Sequence, residues 1–144
     1  MLAQYLGMSR GQKYEPVSCD GSPGITLLVG KRDRMVIAVE RQELRRELVN
    51  AAGAQLAEEG KEWASVWHSK SLFTFALLIA RALESMMRSS RLLDLTAHER
   101  LLLVRNRLEG TDETWFCWAP LSVKKPPTID HVYLIARGRL LELD

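Results

Sequence analysis

Apolar and polar positions change period several times along the chain, and each change marks an element. ITLLVG at 25–30 and MVIAVE at 35–40 are short β-rich apolar runs separated by KRDR, a polar spacer of hairpin length. They predict a β-hairpin, although the spacer has no glycine or asparagine to supply a positive φ cheaply. RQELRRELVNAAGAQLAEEG, 41–60, then places Leu44, Leu48, Ala52 and Leu56 every four residues and ends on Gly60, the pattern of an amphipathic helix with a glycine stop. Gly53 inside it disfavours helix and suggests a close contact with a neighbouring element.

In KEWASVWHS, Trp63 and Trp67 lie four apart, which aligns them on one side of a helix or of a strand alike. From Ser69 or Lys70 to about Ser89 a third pattern predicts a helix whose apolar residues fill most of the circumference, leaving Thr74, Arg81, Ser85 and Arg88 as a narrow polar stripe. Such a helix is buried within its own fold or against a second subunit. LTAHERLLLVRNRLEG matches a capping box, Thr96 with Glu99, followed by an inner stripe of Ala97, Leu101, Val104 and Leu108 and a stop at Gly110. It predicts a helix over 97–109. TWFCWAPL reads as a strand, KKPP as a connector, and HVYLIARGRLLELD as two strands turning near Arg137 and Gly138 or as one long strand bent there.

Gly7, Gly11, Pro16, Gly21, Pro23 and Gly24 crowd the first 24 residues, which predicts an irregular N-terminal arm before a single domain over 25–144. Strands at both ends with helices between them imply an α+β fold: one mostly antiparallel sheet with about three helices packed on it.

At 144 residues, 47% hydrophobic and 26% charged, the chain is long enough to bury a core without a metal or disulfide staple. A net charge of +2 is too small to announce a dedicated nucleic-acid binder. Cys19 and Cys117 are far apart and outside any zinc or CxxC spacing, so free buried thiols in a reducing compartment are expected. The N-terminus lacks the pattern of a secretory signal, and LFTFALLIA at 72–80 is too short to cross a membrane, so a cytoplasmic protein is expected.

Few residues carry the marks of chemistry. GSPG at 21–24 precedes a strand rather than a helix, the wrong context for a phosphate loop, and the motifs of common hydrolases, zinc proteases and EF-hands are missing. His68, His98 and His131 lack the spacing that sets metal ligands on one helix face. No catalytic residue, metal site or cofactor is therefore assigned, though His131 beside Asp130 has the residue types of an oriented acid or base.

DETWFCWAPLSVKKPP, 112–127, reads either as a buried strand leaving the core or as a stacking and phosphate-binding surface. Two functions from different classes follow. The first is a non-enzymatic interaction module, a subunit, adaptor or regulator of a larger assembly, contacting a protein partner or a second copy of itself through Phe73, Arg81 and Arg88. The alternative is a nucleic-acid-binding protein using Arg100, Arg105, Arg107, Lys124, Lys125, Arg137 and Arg139, with Trp115 stacking a base. A winged-helix version places 97–109 as recognition helix, but LLLV in its middle is needed for packing.

Overall fold

The structure, a computed structural model, describes residues 2–17, 24–58, 72–108, 125–136 and 138–143. Six strands form one sheet in sequence order: β1 (Tyr14–Val17), β2 (Ile25–Gly30), β3 (Val36–Leu44), β4 (Glu99–Asn106), β5 (His131–Ala136) and β6 (Arg139–Leu143). Helix α1 (Leu2–Arg10) precedes the sheet, while α2 (Arg46–Glu58) and α3 (Leu72–Arg88) lie between β3 and β4. The α+β class is as expected, but the sheet is mixed. β3–β4 and β4–β5 are parallel, and only the three outer pairings are antiparallel.

Parallel neighbours need a crossover over one face of the sheet, and α2 and α3 supply it. Their Val49, Ala52, Leu78, Ile79, Leu83, Met86 and Met87 pack with Ala38, Leu44, Leu102, Val104, Val132 and Leu134 from the strands. The opposite face is covered in part by α1, whose Leu2 and Leu6 bury against Leu28, Ile37, Val39, Leu101 and Tyr133. Fully burying a leucine is worth about 1.5–3 kcal/mol, so these two hold α1 down firmly.

Residues 2–17 are thus no irregular arm: they contain a helix and an edge strand. Gly7 and Gly11 fit and end a short helix instead of loosening the chain. Gly11 adopts φ +66° just past α1, where its N–H donates to the Gly7 carbonyl at 2.9 Å. A Cβ on Gly7 would lie 2.8 Å from the Gln12 backbone oxygen. Pro16 sits in β1, an edge strand where its missing N–H is tolerated.

The helix expected at 97–109 is also overturned: 99–106 is strand β4. A strand with parallel neighbours and cover on both faces is apolar on both, so LLLV is a core strand that happens to fit a helical stripe as well. Leu101 faces α1, whereas Leu102 and Val104 face α2 and α3. The Thr96/Glu99 match is incidental. Before β4 begins, His98 N–H already donates to the Val36 carbonyl at 3.0 Å, and Val36 N–H donates to His98 Nδ1 at 2.9 Å.

The hairpin at 25–40 forms as expected, with Arg34 supplying the positive φ at 61°. That strain is held by a fixed loop. Gln12 Oε1 accepts from Arg32 and Asp33 N–H, and Asp33 Oδ1 accepts from Met35 N–H. The Gln12 amide also holds the Asp33 carboxyl below its ordinary value. β3 runs on to Leu44, so α2 begins at Arg46 instead of 41. Its buried stripe is Val49 and Ala52, while Leu48 stays exposed. Of the two readings of the C-terminal stretch the hairpin is the one found: β5 and β6 pair antiparallel from Ala136↔Arg139, with Gly138 at φ +74°. Both cysteines, His68, Trp63, Trp67 and the aromatic run at 115–118 lie outside the described residues.

Between α3 and β4 the chain makes a short 3-10 turn, Arg91–Asp94, gripped at both ends. Glu40, buried on β3, accepts from the Ser90 hydroxyl at 2.7 Å, Arg91 N–H at 2.8 Å and the Gln42 amide at 2.5 Å. Arg100, on β4, donates from Nε to the Leu92 and Leu95 carbonyls at 2.9 and 3.2 Å. A carboxyl group at the start of the turn and a guanidinium at its end complement its open N–H and C=O groups.

Two predictions follow from this packing. A Cβ on Gly53 would meet Leu78 Cδ2 at 3.6 Å, ordinary contact, so Gly53→Ala should stabilise by about 0.5–1 kcal/mol in urea unfolding. Gly7→Ala should destabilise, and a loss at position 53 would mean that α2 and α3 pack more closely than this distance. Glu40→Ala leaves Ser90 and Arg91 N–H without their acceptor inside the fold and should cost roughly 1–3 kcal/mol. An unchanged urea midpoint would remove the grip from the account.

Candidate binding surface

β3, β4 and β5 run parallel, so their carboxyl ends collect on one side of the molecule. Register sets which side chains meet there: Arg41 lies opposite Leu103, Glu43 opposite Arg105, and Arg105 opposite Ile135. These residues share the face covered by α1; Leu103 packs against the α1 cluster, whereas Arg41, Glu43, Arg105 and Ile135 do not belong to it. β2 pairs with β3 only as far as Ile25↔Glu40, whereas β3 and β4 continue together to Leu44↔Asn106. The step leaves a concavity of about 550 Å³ lined by Gly24, Arg41, Gln42, Glu43, Leu103, Arg105 and Ile135.

Its floor is aliphatic, with Leu103 and Ile135 half-buried, and its rim is cationic. Arg41 and Arg105 are exposed, and among the described residues neither side chain has a hydrogen-bond or ion-pair partner. Glu43 is held by Arg45, whose Nε lies 2.8 Å from Oε2, and by Arg107, whose Nε lies 3.1 Å from Oε1. Arg45 first and Arg107 second keep the Glu43 carboxyl below its ordinary value. Two guanidinium groups, of Arg45 and Arg107, therefore hold the one carboxylate of the lining, while those of Arg41 and Arg105 stay unoccupied among the described residues. Such a surface can attract an anionic group and offer it two unoccupied planar donors.

A second polar cluster lies at the other end of the same strands. Arg10 grips Glu99 with two hydrogen bonds of 2.6 Å, and Tyr5 packs edge-on against Tyr133 with ring centroids 5.7 Å apart. His131 stands between two carboxylates, Nε2 3.1 Å from Glu99 Oε1 and Nδ1 2.7 Å from Glu142 Oε1. Each ring nitrogen faces a carboxylate oxygen, and with the Arg10–Glu99 pair the arrangement reads as a fastening of α1 and β6 to β4 and β5. Burial and the Glu142 charge push the Tyr133 hydroxyl up to about 12, which keeps it neutral. Arg10 holds the Glu99 carboxyl below its ordinary value against the opposing effect of burial. A group of three or more metal-binding side chains is not found among the described residues.

Few of the residues singled out from sequence come together. Arg105 lies in the concavity and Arg107 at its rim. Arg100 points inward to the Leu92 and Leu95 carbonyls, away from any surface role. Lys125 donates to the Asp130 carbonyl at 3.0 Å, and Arg139 is exposed on β6 with a partner inside the chain. Trp115, Lys124 and Arg137 lie outside the described residues. On α3, Arg88 is exposed and Arg81 half-buried with a partner in the fold, while the side chain of Phe73 lies outside the description. Among the described side chains of α3, Leu78, Ile79, Leu83, Met86 and Met87 are buried within this one chain, so that part of its apolar surface is used internally. Arg41 and Glu43 escape the sequence reading because 41–44 fits a helix. The alternation Val39–Arg41–Glu43 on one strand face was the available signal.

The Arg10–Glu99 pair predicts a pH dependence. A carboxyl whose folded pKa is depressed contributes stability above its ordinary range and loses it as pH falls through the folded value. Glu99→Gln should therefore cost about 0.5–1 kcal/mol at neutral pH, and the deficit should shrink on acidification below the ordinary glutamate range. Urea midpoints of both proteins from neutral to acid pH measure this, and a constant deficit would remove the ion pair as its cause. No protein-family model, curated protein or solved structure matches the chain, so the concavity is interpreted on its own geometry alone.

Proposed function

We propose that the chain is a non-enzymatic interaction module whose working surface is the concavity at the carboxyl ends of β3, β4 and β5, and whose partner is another protein. The observation that carries this reading is the pair of exposed guanidiniums, Arg41 and Arg105, without a partner among the described residues, over an aliphatic floor. Arginine beside aliphatic surface is the composition of a contact patch, and an arginine left without a partner in the free protein loses little when it takes one. A second copy of the chain fits the patch poorly, because Arg41 and Arg105 would face the same charge across a two-fold axis. Nucleic acid has less support. Of the described cations assigned to it, Arg100 serves the fold, Lys125 holds a carbonyl and Arg105 alone is in the lining of the concavity.

Reversing Arg41 and Arg105 to glutamate should abolish capture of the partner from a lysate of the cells that express the protein, with urea stability changed by less than about 0.5 kcal/mol, as for other surface substitutions. Quantitative mass spectrometry of proteins held by each form makes the comparison. Identical sets on both would refute this surface as the point of contact.

A further inference from the structure

Resting on that reading, we infer that the concavity receives a short acidic segment of the partner that also carries an aliphatic side chain, with carboxylates meeting Arg41 and Arg105 and the aliphatic group seated on Leu103 and Ile135. Charge complementarity is the first reason. Among the described lining residues Arg41 and Arg105 are the cations and Glu43, already held by Arg45 and Arg107, the carboxylate; the two arginines, without a partner among the described residues, lie on adjacent strands, two register positions apart. Diagonal neighbours in a sheet are roughly 7–8 Å apart, close enough for both side chains to reach carboxylates of one short segment.

The floor is the second reason. Leu103 and Ile135 offer aliphatic surface, whereas a single-stranded nucleic acid is held by aromatic rings on which its bases stack. The nearest described aromatic on this face, Tyr133, is buried, with Leu2, Leu6 and Leu101 in the same cluster. Glu43 is the third: a carboxylate in the lining opposes a continuous line of phosphates but can accept a hydrogen bond from a peptide N–H. The volume of about 550 Å³ falls in the range of roughly 300–1,000 Å³ that encloses small ligands, suited to a few side chains and far too small for a duplex.

The test uses the full chain and a short fluorescein-labelled peptide of alternating glutamate and leucine, read by fluorescence anisotropy. Saturable binding is expected, weakening severalfold between about 50 and about 200 mM salt. Arg41→Gln combined with Arg105→Gln should weaken it about tenfold or more, while Arg88→Gln, on α3, leaves it unchanged. A peptide of alternating glutamate and serine should bind several times more weakly, since it has nothing for the floor. Equal binding of the serine peptide, unchanged binding by the double variant, no binding at low salt, or tighter binding of an oligothymidylate of the same charge would each overturn the inference. The last would replace the acidic segment by nucleic acid. If the peptide fails while lysate capture still requires Arg41 and Arg105, the surface stands and only the chemistry assigned to its partner falls.

Discussion

The parallel pairing of β3 with β4 constrains everything around it. Antiparallel neighbours can be joined by a tight turn, but parallel ones require the chain to leave one end of the sheet, cross a face and return to the start. The crossing segment becomes α2 and α3, and the face beneath it becomes the larger core. Burial of that face makes the central strands apolar where they would otherwise be polar, which accounts for Leu101 and Leu102 standing side by side in β4 with both buried. The return has to deliver β4 in register. The turn held between Glu40 on β3 and Arg100 on β4 does so, because both clamps belong to the strands being aligned.

Much of this was legible from residue pattern, and the failures share one physical origin. Hairpins with short connections and a helix with a long apolar circumference were read correctly because their signals are local. α3, the hairpin at 25–40 and the turn at Gly138 belong to that group. β4 was misread because Ala97, Leu101, Val104 and Leu108 satisfy helical spacing, and the fact that decides the matter, cover on both faces of a parallel strand, lies in residues far away in sequence. The N-terminal helix escaped notice for a related reason. Glycines that suggest looseness are required by contacts, Gly7 against the Gln12 carbonyl and Gly11 at the helix end. Once 41–44 was taken as helix, Arg41 and Glu43 could not be placed beside Arg105.

Two polar clusters built on the same strands show how similar residues acquire different roles. At the amino ends of β4 and β5, Arg10, Glu99, His131 and Glu142 saturate one another, and their bonds tie a helix and an edge strand to the sheet centre. At the carboxyl ends, Glu43 is saturated by Arg45 and Arg107, but Arg41 and Arg105 are left over among the described residues. The difference comes from cover. α1 closes one half of the face and leaves the other open, so the same sheet has a fastened end and a receptive one.

The long crossover also bears on the order in which the molecule assembles. Val36 and His98, which exchange hydrogen bonds where β3 meets β4, are 62 positions apart. Closing so long a loop costs entropy before any contact is gained, whereas the β2–β3 and β5–β6 hairpins close short ones. The two hairpins can thus form early and independently, with β4 joining them last. Until it does, the apolar LLLV run lacks its neighbours on both edges and its cover on both faces, so the pairing that waits on a long loop closure leaves an apolar, β-forming segment exposed.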